Sequence, residues 1–200
     1  MKFTTKEPIV LASASPRRKE LLAMLDIPFT IQVSEVNEVV HKGETVEQYV
    51  QRVAQLKAND VASRCPQHII ISADTIVEKD KKMLHKPISR DEAIAHLQQL
   101  SGNVHRVLTA VVVKEPNGTE HTLLEETTVF FKKLPLSLVE AYVDSGDPFD
   151  KAGGYGIQTK GMLFIERIEG DYQNVVGLPI ASLAELLWAK NLLTIAEGSY

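Results

Sequence analysis

Cysteine is almost absent: Cys65 stands alone in a chain of 200 residues. A single thiol makes no internal disulfide. Cys65 precedes Pro66 and has no nearby histidine in a nucleophile or metal-ligand arrangement, so it reads as a plain small residue. Basic charge is also scarce. With 22 Lys+Arg against 26 Asp+Glu the net charge is −4, which argues against a general nucleic-acid or membrane-surface binder and leaves room only for a local basic pocket. No apolar signal core follows Met1-Lys2-Phe3-Thr4-Thr5-Lys6, which together with the lone thiol points to a reducing cytoplasm. The chain shows no internal repeat, low-complexity tract, Walker A pattern, dinucleotide fingerprint, serine-nucleophile elbow or Cys/His metal spacing. What remains is 44% hydrophobic and 24% charged, enough to bury a sizeable core in one α/β domain or two closely packed lobes.

The most informative stretch lies near the start, from Val10 through Ala12-Ser13-Ala14-Ser15-Pro16-Arg17-Arg18-Lys19. It reads as a short apolar strand turning into a helix, with Ser15 as N-cap and Pro16 at the first helical position, where a missing N–H costs nothing. Arg17, Arg18 and Lys19 then place three cations in the first turn, on the unfavourable end of the helix dipole, each opposed by roughly 0.3–1 kcal/mol. An anion docked on the helix N-terminus would offset this, because free N–H groups, the Ser13 and Ser15 hydroxyls and two guanidinium forks would converge on it. A solvated basic turn is the plain alternative.

Along the chain, the spacing predicts a helix from Pro16 to Leu25 and a strand from Phe29 to Val40 carrying Glu35 and Glu38. A capping box at Thr45-Val46-Glu47-Gln48 opens a helix that stops before Pro66 and carries Lys57. The run from His68 to Val77 is too β-branched and too continuously apolar for anything but a central strand. A second capping box, Ser89-Arg90-Asp91-Glu92, opens a helix ended by Gly102. Two β-rich runs, Val104 to Lys114 and Thr119 to Lys132, flank the hairpin signal Pro116-Asn117-Gly118. A short helix over Ser137 to Val143 precedes a loop containing Gly153, Gly154 and Gly156; strands are expected at Met162 to Ile168 and Gln173 to Val176, then a final helix through Leu183 and Leu187. The fold class is α/β: a long mixed β-sheet flanked by helices.

Asp74 is the sharpest chemical signal after the opening motif. A carboxylate inside an apolar central strand carries a desolvation penalty of several kcal/mol unless it is paired, hydrogen-bonded or metal-bound. A buried Asp capping a neighbouring loop is the bland alternative. Glu35 and Glu38 alone are ordinary solvated glutamates, but with Asp74 they offer hard oxygen ligands to Mg²⁺ or Mn²⁺. Lys57 and Lys86 are each unremarkable alone; gathered with Arg17 and Arg18 they would match a polyphosphate. The glycine loop fits either close backbone approach to a ligand or a plain tight turn. His41, His85 and His105 are scattered and read as surface or core residues.

Leu11-Ala12-Ser13-Ala14-Ser15-Pro16-Arg17-Arg18, Ala73-Asp74-Thr75, Lys86-Pro87, Leu100-Ser101-Gly102, Asp150-Lys151-Ala152-Gly153-Gly154-Tyr155-Gly156-Ile157-Gln158 and Val176-Gly177-Leu178-Pro179 resemble, in order, the signature blocks of the Maf family of nucleotide pyrophosphatases. The resemblance spans nearly the whole chain as one such domain. It implies an α/β fold similar to the inosine-triphosphate pyrophosphatases, with two lobes around a central cleft. It also implies hydrolysis of a nucleoside triphosphate between the α and β phosphorus atoms, with a divalent metal cation. Pro-Arg-Arg, Ala-Asp-Thr and Tyr-Gly-Ile-Gln are similar to the dTTP/UTP-type branch of that family.

By this resemblance Asp74 is the proton acceptor, and Arg17, Thr75 and Gln158 set base preference. The divalent ion is then expected on Glu38 and Asp74, or on substrate oxygens with these two carboxylates around it. Arg18, Lys57, Lys86, Ser13 and Ser15 are then expected on the phosphates. Ser72 and Gly154 depart from the family pattern, where Gly and Ala respectively are usual, without disabling the site. A nucleotide-binding regulator of septum formation, with no relevant turnover, is the rival from another class. A further rival is an enzyme for modified or purine triphosphates. A homodimer suits a cytoplasmic enzyme of this size, although no residue marks an interface.

Overall fold

A computed structural model describes residues 2–196. In chain order the elements are β1 (Phe3–Thr5), β2 (Ile9–Leu11), α1 (Pro16–Ala23), β3 (Phe29–Ile31), α2 (Val46–Arg64), β4 (Ile69–Lys79), β5 (Lys82–Leu84), α3 (Arg90–Leu100), β6 (Val104–Lys114) and β7 (Glu120–Phe131). There follow α4 (Leu136–Asp144), a series of 3-10 turns, β8 (Ile165–Glu169), α5 (Tyr172–Val176), α6 (Ile180–Ala189) and β9 (Leu193–Ile195). Strands β1 and β9 form a small antiparallel pair; the main, seven-stranded sheet runs β3-β2-β4-β6-β7-β8, with β5 pairing antiparallel to β4. The sheet is mixed, as expected, because β3 and β4 both lie parallel to β2 whereas β8 is antiparallel to β7.

The described chain divides into two compact units, and β4, β6 and β7 each pass from one into the other. The first unit takes the residues before Thr75, those from Ala110 to Leu124 and those from Gly177 onward. Here β2 sits between β3 and β4, fully buried, with Ile9 opposite both Phe29 and Ile69. Helix α2 starts on a closed capping box, Thr45 Oγ1 accepting from Gln48 N at 3.3 Å and Gln48 Oε1 from Thr45 N at 3.0 Å. It buries Val50, Val53, Ala54 and Val61, and Ser72 Oγ donates to Ala54 O at 2.7 Å, fixing the helix to β4.

The second unit holds residues 75–109 and 125–176. Val77, Leu97, Leu100, Phe131, Tyr142, Tyr155 and Phe164 form its core, in which rings meet edge to face. The glycine loop packs into this core. Gly153 has φ +69°, and a Cβ there would lie 2.8 Å from Val77 Cγ2, so neither the conformation nor the space admits a side chain. Lys151 is buried beneath the loop, donating to Asp147 O at 2.6 Å and Asp150 Oδ1 at 2.7 Å.

His105 lies among these rings, its Nε2 2.7 Å from the Tyr155 hydroxyl. Burial, with a smaller contribution from Lys79, pushes its pKa from 6.5 down to about 3. The folded protein therefore keeps this ring neutral where the unfolded chain protonates it. The resulting stabilisation is fully present above pH 6.5 and declines on acidification towards pH 3, by roughly 1.4 kcal/mol per pH unit. Urea unfolding of wild type between pH 7 and 4.5 is expected to show this slope and His105→Gln to flatten it; an unchanged slope in the variant would assign the acid sensitivity elsewhere.

Several sequence expectations are corrected. The strand predicted to Val40 ends at Ile31, and residues 32–41 take irregular backbone. Gln32 N still donates to Leu11 O of β2 at 3.1 Å, but from Val33 on the segment is held by side chains of α2: Arg64 Nη2 donates to Val33 O and Arg52 Nη2 to Val39 O. Gln173 to Val176 is helical rather than extended, because Asp171 accepts from Gln173 N at 2.9 Å and Asn174 N at 3.2 Å and so caps a helical turn. The strand expected from Met162 begins only at Ile165, after a 3-10 turn, and the first helix ends at Ala23 rather than Leu25. The second capping box closes on one side only: Ser89 Oγ caps Glu92 N, but Glu92 turns back to Ile88 N.

Candidate active site

The opening motif folds as its residues dictate. Ser15 caps α1, its Oγ 3.5 Å from Arg18 N, and Pro16 occupies the first helical position. Ser13 Oγ accepts from Ser15 N at 3.2 Å and from Arg18 Nη1 at 3.4 Å. Arg18 then reaches across: Nε donates to Gly177 O and Nη1 to Ala73 O, both at 2.8 Å. Burial holds its pKa below the ordinary guanidinium value, against the opposing pull of Asp74. The guanidinium is thus fixed, in a planar fork, beside the middle of the strand that carries Asp74. Arg17, next to it in the first turn of α1, is half-buried.

Successive side chains of β4 alternate between faces. Ser72 and Asp74 turn to α2, as their bonds to Ala54 and Lys57 show, whereas Thr75 turns the other way, its hydroxyl 2.9 Å from that of Thr109. Asp74 is 6% exposed, and the partner its burial demands is Lys57, whose Nζ lies 2.8 Å from Asp74 Oδ1. The same Nζ lies 2.7 Å from Glu38 Oε1. One ammonium is therefore shared by a carboxylate rooted in the central strand and another carried on the irregular segment.

Two residues that the sequence presented only as parts of a helix complete this cluster. Tyr49 Oη donates to Glu38 O at 3.2 Å, and its own pKa is raised by burial and then by the Asp74 and Glu38 carboxylates. Arg52, its guanidinium 5.7 Å from the Tyr49 ring centre, donates to Val39 O at 2.8 Å and grips Glu44 through Nε and Nη2. Tyr49 and Arg52, three apart on α2, together hang the Glu38 segment on that helix; this spacing was the available sequence signal.

In the second unit, Thr75 belongs to a buried polar chain: Thr109 Oγ1 donates to Asn174 O at 3.1 Å, and Asn174 Nδ2 to Val107 O and Thr127 Oγ1. Lys86 is exposed, beside buried Pro87, and Gln158 is exposed just after the glycine loop. Among the described residues no group of three or more His, Cys, Asp or Glu is placed to hold a metal ion. Asp74 and Glu38, converging on one nitrogen, nevertheless fit Mg²⁺ or Mn²⁺, which takes one or two protein carboxylates and completes its shell with water and phosphate oxygens. No helix of the described residues is long and apolar enough to cross a membrane.

Comparison with known proteins gives the family of the chain. The family model described as "Maf-like protein" matches residues 8–190, and the chain belongs to that family. It is 46% identical over 173 residues to a dTTP/UTP pyrophosphatase of Geobacillus sp. (strain WCH70), covering 86% of this chain and 92% of the relative. It is likewise 46% identical to the dTTP/UTP pyrophosphatase of Bacillus pumilus (strain SAFR-032), covering 90% of this chain and 94% of that one. A crystal structure of a nucleoside-triphosphatase / dITP/XTP pyrophosphatase from Mycobacterium abscessus resembles it more distantly, with TM-score 0.44 and 17% identity over 64% of this chain and 76% of that one.

Proposed function

We propose that this protein hydrolyses dTTP and UTP, and related pyrimidine triphosphates, to the monophosphate and pyrophosphate. The observation that carries the reading, within a family whose relatives bear that activity, is Lys57 shared between Asp74 and Glu38 beside the fixed guanidinium of Arg18. The binding partner implied is a nucleoside triphosphate. A binding-only regulator would have no use for a buried carboxylate held ready beside a second one.

Each group has a physical task. Arg17, Arg18 and Lys57 attract the phosphates, helped by the Ser13 and Ser15 hydroxyls and by the N–H groups opening α1. Because Gly177 O and Ala73 O already orient Arg18, little reorganisation accompanies binding. Asp74 accepts the proton of the attacking water, being of the two carboxylates on Lys57 the one that is buried and anchored in the sheet. Glu38 and Asp74 would hold the divalent cation, which when bound supplies charge neutralisation for the phosphates. Lys86 on the phosphates and Thr75 and Gln158 at the base follow the family resemblance, Gln158 having an amide that both donates and accepts. The bond from Thr75 to Thr109 makes pocket shape, rather than direct contact, the simpler role for Thr75.

Pyrophosphate release measured over canonical and modified triphosphates, with Mg²⁺, Mn²⁺ or chelator, tests the reading. Turnover of dTTP and UTP should exceed that of purine triphosphates by at least tenfold and vanish with chelator. Absence of release from every nucleotide would overturn the proposal in favour of binding alone.

A further inference from the structure

Lys57 occupies an odd position for a phosphate ligand. Its Nζ lies 2.7 Å from Glu38 Oε1 and 2.8 Å from Asp74 Oδ1, on the carboxylates that fit a divalent cation. Its side chain is only 11% exposed, on the rigid helix α2. We propose that Lys57 is a placeholder cation: in the ligand-free protein its ammonium holds Asp74 and Glu38 together and bars a divalent ion from them, and it moves off only when a polyphosphate receives it. The proposal rests on the function proposed above and adds an order of events to it.

Charge and space both support the exchange. Two carboxylates beside one ammonium leave a single net negative charge, a weak lure for a doubly charged ion that loses water reluctantly. Oxygen ligands at about 2.0–2.1 Å from Mg²⁺ cannot converge where an ammonium already bridges them, and two cations there would repel each other at short range. A triphosphate changes the balance by offering the ammonium new acceptors. The four-carbon stem of lysine lets the head swing while the backbone of α2 stays in place. Glu38 is suited to follow, because side-chain bonds from Tyr49 and Arg52 hold its segment rather than a sheet ladder. A lysine serving only as a structural ion pair would stay in place throughout.

The test measures metal binding without turnover. Mn²⁺ titrated into nucleotide-free protein and followed by electron paramagnetic resonance should bind wild type at least tenfold more weakly than Lys57→Met. In wild type, the Lys57 ¹⁵Nζ resonance should stay unchanged when Mg²⁺ alone is added and shift when α,β-methylene dTTP is added with it. Equal Mn²⁺ affinities, or a Lys57 resonance that Mg²⁺ alone displaces, would overturn the proposal. Should Lys57→Met fail to fold, the wild-type resonance decides. Pyrophosphate release by wild type, measured in parallel, separates the two readings: turnover with either overturning result sinks the placeholder role alone.

Discussion

Asp74→Asn should lower pyrophosphate release by a factor of about 10²–10⁴, the range that a positioned general base contributes. The amide matches the carboxylate in shape and can still accept from Lys57 through Oδ1, so the 2.8 Å contact and the packing of β4 are kept. What disappears is a charge and a proton acceptor. Binding of α,β-methylene dTTP should therefore change only a few-fold, and the melting temperature little. Near-wild-type release from this variant would remove Asp74 from the chemistry; loss of nucleotide binding in proportion to rate would make it a binding residue instead. Glu38→Gln separates the two carboxylates. It should raise the Mg²⁺ concentration needed for half-maximal rate more than it lowers the rate at saturating Mg²⁺.

Gly153→Ala is expected to be strongly destabilising although it lies outside the site. At φ +69° an alanine is strained by about 1–2 kcal/mol, and its Cβ would meet Val77 Cβ, Cγ1 and Cγ2 at 2.8–3.0 Å, adding about 1–3 kcal/mol of overpacking. For a domain of this size a loss of about 3 kcal/mol corresponds to a melting temperature lower by roughly 6–12 °C. Gly154 is the internal control. It also has positive φ, +75°, but a Cβ there finds its nearest neighbour, Pro87 Cγ, at an ordinary 3.5 Å, so Gly154→Ala should carry the strain alone. Calorimetry on the two variants distinguishes these cases; equal losses would show that Val77 yields.

Local signals carried most of the fold. Ser15-Pro16, Thr45 with Gln48 and the hairpin at Asn117-Gly118 each satisfy backbone groups within a few residues, and these and the apolar run of β4 appear where the sequence places them. The failures have a common cause. Phe29 to Val40 alternates like a strand throughout, but a strand needs a neighbour, and which residues reach the sheet edge is decided by tertiary placement. Gln173 to Val176 is apolar enough for a strand, yet one aspartate before it caps a helical turn. β1, β5 and β9 are three residues each, too short for any period to register. At the site, Asp74 was legible because a carboxylate in an apolar strand demands a partner. That Lys57 is this partner, with Glu38 on the same nitrogen, was not, since the three come from a helix, a strand and an irregular segment and only the fold unites them.

Residues 32–41 also set the two carboxylates apart in time. The amide of Asp74 sits in the interior of a central strand, so that freeing it means opening the sheet; past Gln32 the segment bearing Glu38 is tied by a phenol, two guanidinium groups and two carboxylates, bonds that break one by one while the core stays shut. Amide exchange should accordingly be fast across this segment and slow along β4. One half of the carboxylate pair is a fixed jaw and the other a hinged one, and the hinge lies outside the sheet.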